Sequence, residues 1–244
     1  MIKAYAKSDV GKLREMNQDY YYISNSLDEI QLYMLADGMG GYNGGEIASR
    51  LAIQSAKSYI ENNFGNIEKD KDSIIQLLGS SMEYANMVVY EKSKENKELE
   101  GMGTTLEIVL IYNNKAYIGH IGDSRIYRIR KSFIRKLTQD HSYVQKLVKD
   151  GQITQEQAEH HPKKNMLMKA LGCNAFVEPD VMVKGFLKDD IIVMCSDGLT
   201  NLVNQEEIYD FARVNIEQAT KDLVNMANER GGYDNITVVI IKNI

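Results

Sequence analysis

The sequence predicts an α+β fold built on antiparallel sheets with helix pairs outside them. Three observations point there. Short apolar strand candidates follow one another as hairpins, helical periodicity comes in pairs of segments, and the two do not alternate singly as they would in a βαβ chain. Of the 244 residues, 43% are hydrophobic, enough for one well-buried core.

The elements can be justified in order. Residues 2–8, 20–24 and 32–36 are rich in β-branched or aromatic side chains and are broken by polar or turn residues, so they read as strands. From 46 to about 62, Ile47, Leu51, Ser55 and Tyr59 recur every fourth position beside Ala48, Ala52 and Ala56, a helical stripe. From about 73 to 94, Ile74, Leu78, Met82, Ala85 and Val89 make a second one. Residues 105–112 and 115–121 flank Asn113-Asn114, and asparagine tolerates the positive φ of a tight hairpin turn. Residues 125–130 and 133–137 read as the next hairpin. Between 140 and 171 the pattern turns helical and polar: Thr154 with Gln157 fits a capping box, Pro162 interrupts, and Gly172 can end the last short helix. Strands at 181–186, 191–195 and 236–241 enclose helices at about 206–214 and 217–228. No repeat of 20–50 residues is visible.

Composition excludes several classes. Charged residues are 26% of the chain, close to the globular average, which argues against a disordered protein. A net charge of −5 gives no long-range attraction for nucleic acid or an anionic membrane, so neither partner is expected. Cys173 and Cys195 are too few for a disulfide framework, and Cys195, after an apolar run, reads as a small buried residue. The first residues lack an apolar signal core and no run approaches the roughly 18 apolar residues of a membrane span. A reducing, cytoplasmic setting and a monomer are expected.

Three aspartates occupy strand ends beside glycine. Asp37 follows LYMLA and precedes Gly38-Met39-Gly40-Gly41; Asp197 follows IIVMCS and precedes Gly198; Asp234 follows Gly231-Gly232 and precedes ITVVII. Asp123 sits between two strands in IGDSRIY. Each Asp-Gly alone reads equally as a turn dipeptide. If the aspartates converge, crowded carboxylates at low dielectric must protonate or be neutralised by cations. Oxygen ligands without Cys or clustered His favour hard ions, Mg²⁺ or Mn²⁺. Two such ions about 3.5–4 Å apart could generate a nucleophile at neutral pH. In REMNQD at 14–19, Arg14 offers a planar fork for phosphate, or is a solvated surface charge, and Asn17 and Asp19 suit a turn.

Taken together, these segments resemble the metal-dependent protein phosphatases of type 2C in their small bacterial form. REMNQD at 14–19 resembles R-x-x-N-[EQ]-D, and ADGMGGYNGGEIAS at 36–49 resembles the D-G-M-G-G segment with its helix start. GMGTT at 101–105, IGDSRIY at 121–127, LTQDHS at 137–142, HPKKNMLMKALG at 161–172, CSDGLT at 195–200 and GGYDNITVV at 231–239 follow in family order. The resemblance implies a four-layer α-β-β-α sandwich, one phosphatase domain over 1–244, with a helical flap at about 142–165 beside a two-metal cleft. It implies that Asp37 bridges both ions, Gly38 offers its carbonyl to one, and Asp197 and Asp234 hold the other. Asp123, with Asp197, matches a third, weaker site. Asp19 orients metal-bound water, and Arg14 holds the substrate phosphate.

The implied reaction is in-line attack of a metal-bridging hydroxide on phosphoserine or phosphothreonine, without a phosphoenzyme. Phosphorylated proteins are the implied substrates, with an opposing Ser/Thr kinase as partner. Some family members carry a general-acid histidine after Asp-Gly; here that place is Met39, which cannot donate a proton.

Other phosphotransfer chemistries lack their residues. A cysteine phosphatase needs arginine six positions after its nucleophile, where Pro179 and Asn201 stand. No D-x-D follows the strand before Asp37, no GNH occurs, and GMGTT lacks a P-loop lysine. A silent phosphoprotein-binding pseudophosphatase is the alternative, but no metal aspartate is lost, nor is Arg14. His141 could serve the cleft or cap the helix after it. His160 and His161 suit a helix end, Met166–168 suits flap packing, and the charge run at 92–100 suits a solvated helix end.

Overall fold

The computed structural model describes residues 1–25, 30–40, 44–95 and 97–244. Residues 41–43, after the glycine pair's first member, and Asn96 of the charge run lie outside the described residues. In chain order the elements are β1 (Ile2–Asp9), β2 (Asp19–Ile23), β3 (Gln31–Met39), α1 (Gly44–Phe64), α2 (Lys71–Lys94), β4 (Gly103–Thr104), β5 (Leu106–Tyr112), β6 (Lys115–Ile121), β7 (Arg125–Arg130) and β8 (Phe133–Lys136). Then follow α3 (Tyr143–Lys149), α4 (Gln155–Glu159), β9 (Asp180–Gly185), β10 (Ile191–Cys195), α5 (Asp197–Thr200), α6 (Gln205–Ala212), α7 (Ile216–Glu229) and β11 (Ile236–Asn243).

Two antiparallel sheets form, one ordered β1-β11-β10-β7-β8 and the other β2-β3-β5-β6-β9, with β4 pairing beside β3. Strand alternation divides the apolar residues into three layers. On β3, Leu32, Met34 and Ala36 face the core under α1 and α2, while Tyr33 and Leu35 face the space between the sheets. On β11, Ile236, Val238 and Ile240 face α6 and α7, and Val239 and Ile241 point between the sheets. Helices outside, sheets inside: the order is α-β-β-α. Because both faces of the central strands are covered, LYMLA and IIVMC read as continuous apolar runs rather than alternating ones.

The helices explain themselves locally. Asp70 caps α2, accepting from the amides of Asp72 and Ser73, and the stripe Ile74, Leu78, Met82, Ala85, Val89 is fully buried as its spacing predicts. On α1 the buried stripe is Ala48, Ala52, Ile53, Ala56 and Ile60, whereas Ile47, Leu51 and Tyr59 are only partly covered. Alanines let that helix approach the sheet closely, so the small residues face inward and the larger ones flank them. Asn113 and Asn114 both adopt positive φ, 47° and 58°, closing the β5–β6 hairpin.

Three expectations change. No helix reaches Gly172: Leu171 instead bridges Thr104 as extended chain, and Gly172 turns at φ +85°. Ser142, not His141, caps α3, accepting from the amide of Gln145. Met166 and Met168 are half exposed; the backbone between them bridges Ser142, so this run is held by main-chain bonds and not by side-chain packing. The capping box of Thr154 and Gln157 forms on α4, and Cys195 is fully buried. Among the described residues no helix is long and apolar enough to cross a membrane.

Candidate metal centre

All five aspartates stand at one end of the two sheets. Asp37 lies near the end of β3, and Asp19, the first residue of β2, is its register partner. Asp123 precedes β7, Asp197 follows β10, and Asp234 precedes β11, three neighbouring strands of the other sheet.

The backbone around Asp37 is tied down. Its N–H donates to Thr105 Oγ1 at 2.9 Å, and its carbonyl accepts from Thr105 N and Thr104 Oγ1, each at 2.9 Å. That holds the backbone still beneath the carboxylate. Glycine is required next: a Cβ on Gly38 would stand 2.0 Å from the carbonyl oxygen of Gly45. The same holds for Gly198, where a Cβ would meet Asn235 O at 2.0 Å. These close approaches bring the start of α1 against Asp37 and the Asp234 loop against Asp197.

Asp19 is buried, and Ser196 Oγ donates to its Oδ2 at 2.8 Å while Oδ1 has no hydrogen-bond partner. Ser196 occupies the N-cap position of α5 yet makes no cap bond with its side chain; its oxygen also accepts from Thr237 N at 2.9 Å. Asn201 Nδ2 donates to Asp197 Oδ2 at 3.1 Å. Asn235 Nδ2 donates to the carbonyls of Val10 and Met16, and its Oδ1 accepts from Gln18 N, stitching the segment before β2 to the loop before β11. Arg14 Nη2 reaches Asp234 Oδ2 at 2.8 Å, with both side chains partly open to solvent.

Electrostatics show that the carboxylates share one neighbourhood. Burial raises Asp37 well above the ordinary carboxylate range, and the charges of Asp19, Asp197, Asp123 and Asp234 raise it further. Burial, with Asp197 and Asp234, lifts Asp19 to about 7; burial, with Asp197 and Asp140, lifts Asp123 to about 8. Asp197 is raised by burial and Asp234, with Asp37 within hydrogen-bond reach. Arg125 offers little relief, since its guanidinium is gripped by Asp140 at 2.7–3.2 Å. Among the described residues no trio of acidic, His or Cys side chains is already closed to ligating spacing. An unpartnered buried oxygen on Asp19, with the carboxylates of Asp37, Asp197 and Asp234 acting on the same residue, fits hard cations.

The aspartates, Gly38 and Arg14 singled out in the sequence therefore come together. Sequence reasoning missed Ser196, Thr105 and Asn235. A serine before a helix reads as a cap, and an asparagine before a strand as a turn residue; their tertiary bonds leave no periodic trace. Next to Asp123 and Asp197 opens a cavity of ≈ 720 Å³, walled on the far side by Ser142, Gln155 and His160 of the α3–α4 excursion and by Glu206 of α6.

Known proteins resemble this chain over nearly its whole length. Protein phosphatase PhpP of Streptococcus pneumoniae is 37% identical over 239 residues, 96% of this chain and 94% of that one. The solved serine/threonine phosphatase of S. agalactiae superposes with TM-score 0.91 at 35% identity, covering 100% of both chains. The catalytic domain of serine/threonine protein phosphatase PstP, solved with two manganese ions, gives TM-score 0.86 at 33% identity over 99% of this chain and 97% of that one. A family model described as Protein phosphatase 2C matches residues 12–237. The chain belongs to the protein phosphatase 2C family of metal-dependent serine/threonine phosphatases.

Proposed function

We propose that this chain dephosphorylates phosphoserine and phosphothreonine in proteins, with Asp37, Gly38, Asp197 and Asp234 holding two Mn²⁺ or Mg²⁺ ions and Asp123, with Asp197, a weaker third. The observation that carries it is the convergence of five aspartates at one end of two sheets, with Asp19, Asp37, Asp123 and Asp197 raised by burial and by neighbouring carboxylates. Ions of this kind supply a nucleophile from water at neutral pH and offset phosphate charge.

The chain's own residues do the rest. Asp37, fixed by three backbone bonds to Thr104 and Thr105, presents its carboxylate to both halves of the cleft. Asp19 stands behind it, oriented by Ser196, with one oxygen left to accept a proton from water. Arg14 has one Nη on Asp234, and the remaining donors of its fork are available to phosphate oxygens. Met39 cannot protonate the leaving alkoxide, so that proton comes from water in this scheme. The 142–165 excursion serves as the flap, its cavity wall taking residues that flank the phosphoamino acid.

All these residues are present, which favours turnover over a silent phosphoprotein-binding pseudophosphatase. The proposal includes a monomer in the cytoplasm acting against a Ser/Thr kinase, a setting that follows from the family resemblance. Hydrolysis of a phosphothreonine peptide with Mn²⁺ or Mg²⁺, abolished by EDTA, tests the proposal; turnover that persists in chelator overturns it.

A further inference from the structure

Away from the metal-centre aspartates, the second sheet carries a row of ionisable groups, from buried Glu107 and His120 to half-exposed Asp180, that the reaction does not use. Glu107, His120 and Asp180 are register partners across β5, β6 and β9. Glu107 Oε1 and His120 Nδ1 lie 2.7 Å apart with both side chains fully buried, and His120 Nε2 meets the carbonyl of Gln139 at 2.9 Å. His141 stacks on His120, ring centroids 4.6 Å apart at 27°, and its Nε2 lies 3.3 Å from Asp180 Oδ2. His141 also clasps Gly122 twice. Its backbone N–H donates to Gly122 O at 2.7 Å, and Gly122 N–H donates back to His141 Nδ1 at 3.1 Å.

That second bond fixes the tautomer. Nδ1 must carry a lone pair, so the ring proton sits on Nε2 and points to Asp180. Burial, then repulsion from His120, pushes His141 down to about 4, so the ring stays neutral. Gly122 needs the clasp: it turns at φ +116°, and a Cβ there would stand 2.4 Å from Thr105 Cγ2. The next residue is Asp123. The carbonyl of His141 meanwhile accepts from Met168 N at 2.7 Å, at the root of the α3–α4 excursion.

We propose that His141 is a positioning residue for the metal centre: its Nδ1 holds the Gly122 amide and so aims the Asp123 carboxylate, while the buried Glu107–His120 pair holds the imidazole in place by stacking. This rests on Asp123 serving as a metal ligand.

The test compares His141→Ala, His141→Asn and His141→Gln with Asp123→Asn in the full chain. Asparagine Oδ1 takes the place of Nδ1, whereas glutamine presents its oxygen near Nε2. In metal-free protein, Ala and Gln should speed exchange of the Gly122 amide about tenfold or more, and Asn should restore slow exchange. Mn²⁺ titrations followed by electron paramagnetic resonance should show the weakest step loosened about tenfold in Ala and Gln and recovered in Asn. A merely space-filling role predicts the opposite ranking, with Gln at least as good as Asn; that result, or an unchanged Ala variant, overturns the proposal. Asp123→Asn separates the two readings. Unaltered Mn²⁺ binding in that variant removes Asp123 as a ligand, and weakened binding there with none in His141→Ala removes the positioning role.

Discussion

Asp19 and Asp37 face each other as register partners at the open end of the β2–β3 pair, each raised above the usual carboxylate range by burial and by the other carboxylates around it. A folding chain gains nothing by placing two buried acids side by side. Such pairs persist where a cation is meant to enter.

The first prediction concerns Asp37→Asn. Removing even an outer partner of a metal site costs about 10–100-fold in affinity or activity, so losing the carboxylate both ions would share should cost more than about 10²-fold in turnover. The metal-free fold should be no less stable than wild type at pH 8, because one crowded acid is gone. Thermal melts in EDTA and kcat on a phosphopeptide check both parts.

Metal-free stability should fall as pH rises. The folded-state values of Asp19 and Asp123, about 7 and about 8, lie above the ordinary 3.8. Their contribution is thus fully present below about pH 4 and is lost as pH climbs through 7 and 8. Divalent ions bind the deprotonated groups, so the stabilisation from Mn²⁺ should grow over the same window. Denaturant midpoints in EDTA and in Mn²⁺ at pH 5.5 and pH 8 measure the difference; a metal increment that is larger at pH 5.5 contradicts it.

Ser196→Ala tests a residue the linear pattern hides. It strands an oxygen of Asp19 and the N–H of Thr237. An orphaned buried polar group costs about 1–3 kcal/mol, which for a chain of this size lowers Tm by about 2–4 °C per kcal/mol. Activity should fall with it, since Asp19 loses its orientation; calorimetry and kcat measured side by side are the check.

A further pH effect belongs to the buried pair. Burial alone would push His120 down, but the Glu107 carboxylate against it brings it up to about 9. Its proton therefore stabilises the fold fully below pH 6.5, and that contribution is lost as pH rises through 9. Glu107→Gln removes the partner. The Tm advantage of wild type over this variant should shrink from pH 6.5 to pH 9, and a constant advantage would show that the pair is not charged.

Much of this architecture could be read from periodicity. The α2 stripe, the asparagine turn and the capping box of α4 are local features, set by residues three or four apart. On α1 the pattern misled, because close packing against β3 favours alanine over the larger residues beside it. The aspartates were visible at strand ends beside glycine or between strands, but their meeting depends on long-range pairing, such as the register of Asp19 with Asp37 and the bond of Arg14 to Asp234, 220 positions away. Ser196 and Asn235 were illegible for the same reason: each looks like a cap or turn residue, and each spends its side chain on a distant strand or loop, whereas His141 was visible as a residue for either the cleft or a cap but not by its bond to Gly122.

The measurement that bears most directly on the central claim is anomalous diffraction at the manganese edge from crystals of this chain soaked in Mn²⁺. Two strong peaks flanked by Asp37, Asp197 and Asp234 are the predicted result. Peaks confined to other surfaces, or none in that cleft, would contradict the account.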